Sequence, residues 1–344
     1  NMSVDGATTE MTGVFCRIDR PTARQMPTLS AYFEQPGTKG FLALKSIGIL
    51  RARFSAGVEN LTSLLAEAAA ANLQVVLMVD ANLEASCEAL AKEYDAKVVG
   101  WDIDCAGSPD TFVALSKMLR QGQAPAPIRP IVRSADELTA LLNTGAVDEI
   151  GGAVWAAEWP SLSDARRMQS IAHSKGMEDL PVNVLVLGDN PPSSDWTDMP
   201  GLRLVHTAVE GLETGVPRVG IAAPLLYTED FGPGYALVCA MTQRLSQAVP
   251  IGFLEFSAEE KAAVFRRSDT WAVVGWSSQG DRDLTISLGD AVELAVYDAR
   301  NNPLPLPAPV DGNLMLALTP SPLYLVGKGG SVVEIGRASC RERV

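Results

Sequence analysis

Strand-like and helix-like segments alternate along the chain up to Ala248, and this alternation limits the possible folds more than any other feature. Runs such as Gln74–Asp80 (QVVLMVD) are nearly all apolar, which is typical of parallel strands covered on both faces. Runs such as Asn60–Leu73 carry leucines at the spacing of one helical face. The order predicts an α/β fold, a (β/α)8 TIM barrel. Its predicted strands are Gly13–Asp19, Ile47–Phe54, Gln74–Asp80, Val98–Gly107, Ile128–Val132, Glu149–Trp155, Val182–Gly188 and Arg218–Leu226.

The pattern of apolar and polar residues changes after Pro250. Short, often alternating apolar runs such as TWAVVGWS and DLTISL follow one another, separated by Gly, Asp, Asn and Pro. This pattern is typical of an antiparallel β-sandwich. We therefore predict a barrel over residues 13–250 and a small C-terminal β-sandwich over residues 251–330.

Both ends of the chain look artificial. Asn1 precedes Met2, so a signal peptide would lie upstream and a secreted or periplasmic location stays open. The segment Glu334–Val344 (EIGRASCRERV) resembles a translated adapter, and we expect residues 334–344 to contribute nothing to the core.

Composition excludes several classes of function. The net charge is −13 without any Lys/Arg cluster, which argues against a nucleic-acid partner. No apolar run approaches the roughly 20 residues of a membrane-spanning helix. The five cysteines form no CxxC pair, so no metal site is predicted. No glycine-rich nucleotide motif, HExxH motif or catalytic triad is visible, and no cofactor is expected.

The chain resembles retaining glycoside hydrolases of clan A, which combine a (β/α)8 barrel with a C-terminal β-sandwich. The clearest part is Val292–Gly327, which is similar to the terminal sandwich strands of those enzymes, with a "v-D-x-x-G-n" turn before "l-t-x-x-P-v-Y-l". In the barrel, LKSIGILRARF resembles their second strand and LLAEAAAANLQVVLMV resembles the second helix and third strand. The segment TGVPRVGIAAPLLYTEDFGPGYALV resembles their eighth strand and the loop after it.

The resemblance also implies where catalytic carboxylates should stand. The family's fourth strand ends as W-E-I-x-N-E-P, and its last Glu is the general acid/base; here WDIDCA places Ala106 there and Cys105 at the Asn. The seventh strand ends near v-T-E-f-G, and the nucleophilic Glu is replaced by Val186. A shift of two residues along each strand would bring Asp104 and the pair Gly188-Asp189 to the mouth instead.

The predicted strand ends form an acidic and aromatic rim, suited to accepting sugar hydroxyls and stacking on pyranose rings. Arg53 needs a carboxylate partner there, for which Asp19, Asp80 or Asp102 are available. The predicted ligand-binding residues are Arg53, Asp80, Trp101, Asp102, Trp155 and Trp159.

Three functions remain open from the sequence. The first is a glycoside-hydrolase-like protein with a degenerate site, which binds an oligo- or polysaccharide without hydrolysing it. The second is an active glycosidase with relocated carboxylates, in which Asp104 or Glu158 works with Asp189. The third is a structural or interaction protein whose barrel mouth is filled.

Overall fold

A computed structural model describes residues 2–4, 7–9, 26, 28–145, 150–158, 162–177, 180–187, 200–213, 216, 218–226, 233–255, 260–277, 282–287 and 293–329. Its first two strands, β1 (Met2–Val4) and β2 (Ala7–Thr9), form an antiparallel pair. The next eight strands close a parallel barrel. They are β3 (Leu29–Phe33), β4 (Arg51–Ser55), β5 (Gln74–Asp80), β6 (Trp101–Asp104), β7 (Ile128–Val132), β8 (Ala153–Ala157), β9 (Val182–Val186) and β10 (Val219–Ala222).

The barrel closes where β10 pairs in parallel with β3, with Val219 opposite Leu29. The prediction that Gly13–Asp19 is the first barrel strand is therefore wrong, because Leu29–Phe33 occupies that place. Gly13–Asp19 lies outside the described residues, and the start of the domain at residue 13 stays a prediction. The other predicted strands coincide with β4 to β10 to within a few residues.

Eight helices follow the strands of the barrel among the described residues. Local sequence sets their starts: the Ser108 side chain accepts a hydrogen bond from the Thr111 amide, with Pro109 in the first turn, and Ser134 accepts one from the Glu137 amide. The helices are α1 (Thr38–Ser46), α2 (Leu61–Ala70), α3 (Cys87–Tyr94), α4 (Pro109–Gln121), α5 (Ala135–Leu142), α6 (Leu162–Ser174), α7 (Pro200–Glu213) and α8 (Pro233–Leu245).

The C-terminal part is a β-sandwich, which confirms the prediction of a barrel followed by antiparallel sheets. A six-stranded sheet has the order β11-β12-β13-β18-β15-β16, and β14 pairs with β17 in a second sheet. Leu284 and Leu316 of the small sheet share an apolar cluster with Val273 and Leu325 of the large one. The strands are β11 (Val249–Glu255), β12 (Glu260–Arg267), β13 (Thr270–Ser277), β14 (Arg282–Ser287), β15 (Glu293–Tyr297), β16 (Pro303–Leu304), β17 (Asn313–Leu318) and β18 (Leu323–Lys328).

The other face of the large sheet packs on the barrel. Phe265 and Tyr324 belong to the same buried apolar cluster as the barrel helices, and α7 contacts β11 and β12. Lys261 Nζ lies 2.7 Å from Glu210 Oε1 across this contact. His206 of α7 stacks on Trp276 of β13, with ring centroids 4.5 Å apart.

This stacked histidine makes the stability depend on pH. Burial, followed by repulsion from Lys261 and Arg203, lowers the pKa of His206 to about 4 from 6.5, against a hydrogen bond with the Pro320 backbone. The folded state therefore binds fewer protons than the unfolded state between these values. The contribution of neutral His206 to the free energy of unfolding is fully present above pH 6.5, and it is lost as the pH falls towards 4. We expect a loss of about 1–2 kcal/mol, less than the full shift implies at about 1.4 kcal/mol per pKa unit, because part of the ring stays exposed.

Urea unfolding measured between pH 7 and pH 4 tests this expectation. The loss in that window should shrink in His206→Phe and persist in His173→Gln, which changes the other, exposed histidine. An unchanged pH profile in His206→Phe would assign the acid sensitivity to other groups.

In the part of the chain that the structure describes, no helix is both long and apolar enough to cross a membrane. Within the same ranges, no group of three or more His, Cys, Asp or Glu side chains is arranged to hold a metal ion.

Candidate functional site at the mouth of the barrel

Alternation along the strands decides which side chains face the inside of the barrel. Near the carboxyl ends of the strands, the inward side chains surround a cavity of about 250 Å³. Most of its wall is apolar, and its polar groups come from two places, β3 and the neighbouring ends of β6 and β7. The lining residues are Tyr32, Glu34, Met78, Asp104, Ile131, Arg133, Ala156, Leu185, Leu187, Ala222, Pro224 and Leu225.

Asp104 and Arg133 form a two-pronged ion pair on the cavity wall. Arg133 Nη1 donates to Asp104 Oδ1 at 2.9 Å, and Nη2 donates to Oδ2 at 2.7 Å. The hydrogen bond from Arg133 is the main cause of the lowered pKa of Asp104, and the same contact raises the pKa of Arg133. Both groups are therefore charged at neutral pH, and they present a fixed array of donors and acceptors.

Tyr32 and Glu34 complete the polar part of the wall. Partial burial raises the pKa of the Tyr32 hydroxyl, and the negative charges of Glu34 and Asp104 raise it further. The phenol thus stays protonated and can donate a hydrogen bond next to two carboxylates. Sequence reasoning missed both residues because it placed the first strand too early, and it missed Arg133, whose position two residues after inward-facing Ile131 was the available signal.

Arg53 and Asp102 lie below this cavity, inside the barrel. Arg53 Nε is 2.7 Å from Asp102 Oδ2, and both side chains are buried. Of the three acids that the sequence offered as partners of Arg53, Asp102 is the one that the structure brings to it. Because neither residue lines the mouth cavity, their predicted contact with a ligand at the mouth is not supported by their position.

Trp101 and Trp155, both predicted to bind ligand, lie on the outer face of their strands. Trp101 is fully buried between the barrel and its helices, and its indole N–H donates to Asp95 Oδ1 at 2.9 Å. Trp155 is 5% exposed in the same cluster. Neither lines the cavity, because the inward residues of their strands are Asp102 and Asp104 on β6 and Ala156 on β8.

The two positions matched to family glutamates differ in their placement. Ala106 is exposed in the turn after β6, with φ of +46°, and its amide donates to Asp104 Oδ1 at 3.1 Å. Val186 is fully buried on the outer face of β9, so the matched position does not face the cavity. The inward residues on that strand are Leu185 and Leu187, which carry no carboxylate either.

Asp80 and Glu158, two further predicted residues, do not line the cavity. Asp80 caps the short helix after β5 by accepting from the Asn82 amide at 2.9 Å. Glu158 is exposed directly after β8. Trp159 and Asp189 lie outside the described residues, as does Asp19.

Comparison with known proteins supports the fold. No protein-family model matches the chain, and no curated protein matches it. Among solved structures, an Anoxybacillus α-amylase has a TM-score of 0.54 at 9% identity, covering 88% of this chain and 98% of that one. A β-L-arabinopyranosidase from Geobacillus stearothermophilus, solved with arabinose, has a TM-score of 0.53 at 10% identity and covers 90% and 98%. An α-amylase from Geobacillus thermoleovorans, solved with acarbose, has a TM-score of 0.55 at 10% identity and covers 88% and 98%.

These similarities support the fold that the sequence predicted, a (β/α)8 barrel followed by antiparallel β-sheets. At such low identity they concern the fold alone and carry no residue roles.

Proposed function

We propose that the protein is a glycoside-hydrolase-like barrel with a degenerate active site, which binds a sugar at its mouth without hydrolysing it. The observation that carries this proposal is the two-pronged Asp104–Arg133 pair on the wall of the mouth cavity. The similar structures include one solved with arabinose and one with acarbose, which makes a carbohydrate the ligand class to test first.

The cavity has the chemistry that a sugar ring requires. Neighbouring hydroxyl groups need acceptors and donors side by side, and the carboxylate of Asp104 with the guanidinium of Arg133 supplies them in a fixed arrangement. Met78, Ile131 and Leu185 offer an apolar surface for the C–H face of the ring. A volume of about 250 Å³ lies just below the range of roughly 300–1,000 Å³ typical of ligand pockets. We therefore assign the described cavity to one sugar unit of a larger glycan.

Hydrolysis is disfavoured by the state of the same carboxylate. Retaining enzymes need a nucleophile and a protonated general acid about 5 Å apart. The lowered pKa of Asp104 keeps it ionised, so it cannot donate a proton at neutral pH, and Arg133 engages both of its oxygens. The other acid of the described cavity wall is Glu34, whose side chain is exposed.

One observation favours the alternative of an active glycosidase. Asp104 is an ionised carboxylate on the wall of a cavity at the active-site end of the barrel, as a nucleophile would be. The sequence predicts two carboxylate pairs for such an enzyme, Asp104 with Asp189 or Glu158 with Asp189, and activity on a glycoside would decide for this alternative. The third possibility, a structural role with a filled mouth, is disfavoured by the cavity itself.

Binding measurements on variants of the ion pair test the proposal. Isothermal calorimetry and a glycan array should show binding to the unaltered protein, and Arg133→Ala should weaken the affinity about 10- to 100-fold. That range corresponds to one lost charged hydrogen-bonding group, at about 1.5–3 kcal/mol. Arg266→Ala removes an exposed arginine of the sandwich and should leave the affinity unchanged.

Turnover of aryl glycosides is measured on the same samples. Hydrolysis by the unaltered protein that Asp104→Asn abolishes would replace the proposal by the active glycosidase. Absence of binding to every glycan, with a folded protein, would overturn it as well.

A further inference from the structure

Four arginines meet around one carboxylate at the opposite, amino-terminal end of the barrel. Arg51 is the first residue of β4, Arg129 is the second of β7, and Arg218 directly precedes β10. Arg53 lies one layer deeper, beside Asp102. Among the described residues, Asp102 is the one acid whose negative charge attracts these arginines and acts to raise the pKa of three of them. Four positive charges therefore face a single negative charge.

Each oxygen of Asp102 lies within ion-pair distance of one of the four arginines. Oδ1 accepts a hydrogen bond from Arg129 Nε at 2.7 Å, and Oδ2 lies 2.7 Å from Arg53 Nε. Arg51 is left with Gln74, whose amide oxygen accepts from Nη2. The carboxylate therefore compensates the inner pair, while Arg51 and Arg218 add two more charges beside it.

Several donors of this group have no partner among the described residues. They are buried atoms of side chains that are 8%, 1% and 2% exposed, namely Arg51 Nε and Nη1, Arg53 Nη1 and Arg129 Nη2. Buried donors without an acceptor are rare in folded proteins, because each loses its hydrogen bonds to water without replacement, and the loss is larger for a charged donor. Their number in one place indicates an acceptor that is not part of the described chain.

Mutual repulsion points to the same conclusion. Burial first, and then repulsion from Arg218, Arg129 and Arg53, lowers the pKa of Arg51 to about 10, and burial and Arg129 lower that of Arg218. Both stay protonated at neutral pH, so the positive charges repel one another in a low-dielectric site. An anion between them would remove the repulsion and accept the free N–H groups together.

Glycines let two of these arginines approach the backbone closely. A Cβ atom added at Gly220 would lie 3.3 Å from Arg53 Nη1 and 3.2 Å from Ser30 Oγ, so these two unpartnered polar atoms face the same small space. A Cβ atom at Gly100 would lie 2.6 Å from Arg129 Nη2. Arg218 is partly exposed and gives access from solvent.

We propose that the amino-terminal end of the barrel binds a small oxyanion, a phosphate or carboxylate group, between the guanidinium groups of Arg51, Arg129 and Arg218. Guanidinium forks match the paired oxygens of both groups. The site lies at the other end of the barrel from the mouth cavity, so it does not depend on the proposed sugar binding.

Thermal and urea unfolding with inorganic phosphate or acetate, at constant ionic strength set with chloride, tests this site. At a concentration of 100 times its Kd, a specific ligand lowers the apparent unfolding constant about 100-fold. Phosphate should have this effect if the site takes a phosphate group, and acetate should have it if the site takes a carboxylate. Calorimetry gives the Kd independently.

Variants assign the effect to the arginines. Arg51→Gln should abolish the stabilisation by the anion, and without anion it should unfold no more easily than the unaltered protein because it removes repulsion. Arg218→Gln, at the partly exposed edge, serves as the second variant. Arg266→Gln makes the same change on the sandwich and should keep the full effect. The proposal would be overturned if neither anion stabilised the unaltered protein. It would also be overturned if an anion stabilised Arg51→Gln and Arg218→Gln as strongly as it stabilises the unaltered protein.

Discussion

Replacing Asp102 by Asn is expected to lower the free energy of unfolding by about 3–5 kcal/mol, the range typical when one partner of a buried ion pair is removed. Asp102 is fully buried, and its two oxygens face the Nε atoms of Arg53 and Arg129 at 2.7 Å. The Asn side chain keeps the size but not the charge, so both arginines would stay buried without a counterion. Urea unfolding at neutral pH measures the change.

Two controls separate charge pairing from other effects of the substitution. Glu88→Gln breaks the exposed Glu88–Lys92 pair on α3 and should cost at most about 0.5 kcal/mol. Asp104→Asn breaks a partly exposed pair and should fall between the two. If Asp102→Asn costs no more than Glu88→Gln, the charges inside the barrel must be compensated by groups other than this carboxylate.

The barrel itself could be predicted because both periodicities are strong. Apolar strand runs and amphipathic helical runs have different spacings, and their regular order leaves few alternatives to a closed barrel. The first strand was misplaced because Gly13–Asp19 and Leu29–Phe33 are both short, mainly apolar runs, and either could be a barrel strand by its sequence alone. Only pairing with β10 distinguishes them, and pairing between the two ends of a barrel is not visible in a local pattern.

The direction of the side chains was harder to predict than the strands. In a parallel barrel both faces of each strand are buried, so apolar residues alone do not indicate which face points inward. The sequence pattern therefore did not indicate that Trp101, Trp155 and Val186 lie on the outer face. The signal was in the charges: Arg51 and Arg53 on β4, and Asp102 and Asp104 on β6, are two residues apart in otherwise apolar runs.

This spacing has one consequence for the whole barrel. Residues two apart share a face, so Asp102 and Asp104 lie on one face of β6 and Trp101 lies on the other. Among the described residues, the mouth cavity is thus lined by Asp104 and Arg133 and by no tryptophan. The site was not predicted fully because Arg133 lies one residue beyond the predicted end of β7, and Glu34 follows a strand that was misplaced.

Replacing Trp101 by Ala is expected to lower the free energy of unfolding by about 3–5 kcal/mol, as for other buried aromatic side chains reduced to Ala. The indole is fully buried outside the strand layer, and it would leave a cavity and an unpartnered Asp95 oxygen. Trp101→Phe keeps most of the volume and loses the N–H donor, so we expect a smaller loss. Urea unfolding of both variants gives these values.

The affinity for a sugar separates packing from ligand contact at this position. Because Trp101 faces the helices and Asp104 faces the cavity, Trp101→Phe should bind any glycan as tightly as the unaltered protein does, while Asp104→Asn should bind it more weakly at a smaller cost in stability. Glycan binding that Trp101→Phe weakens while its unfolding midpoint stays unchanged would place the indole in the binding site. That result would contradict the assignment of β6 faces on which the proposed site rests.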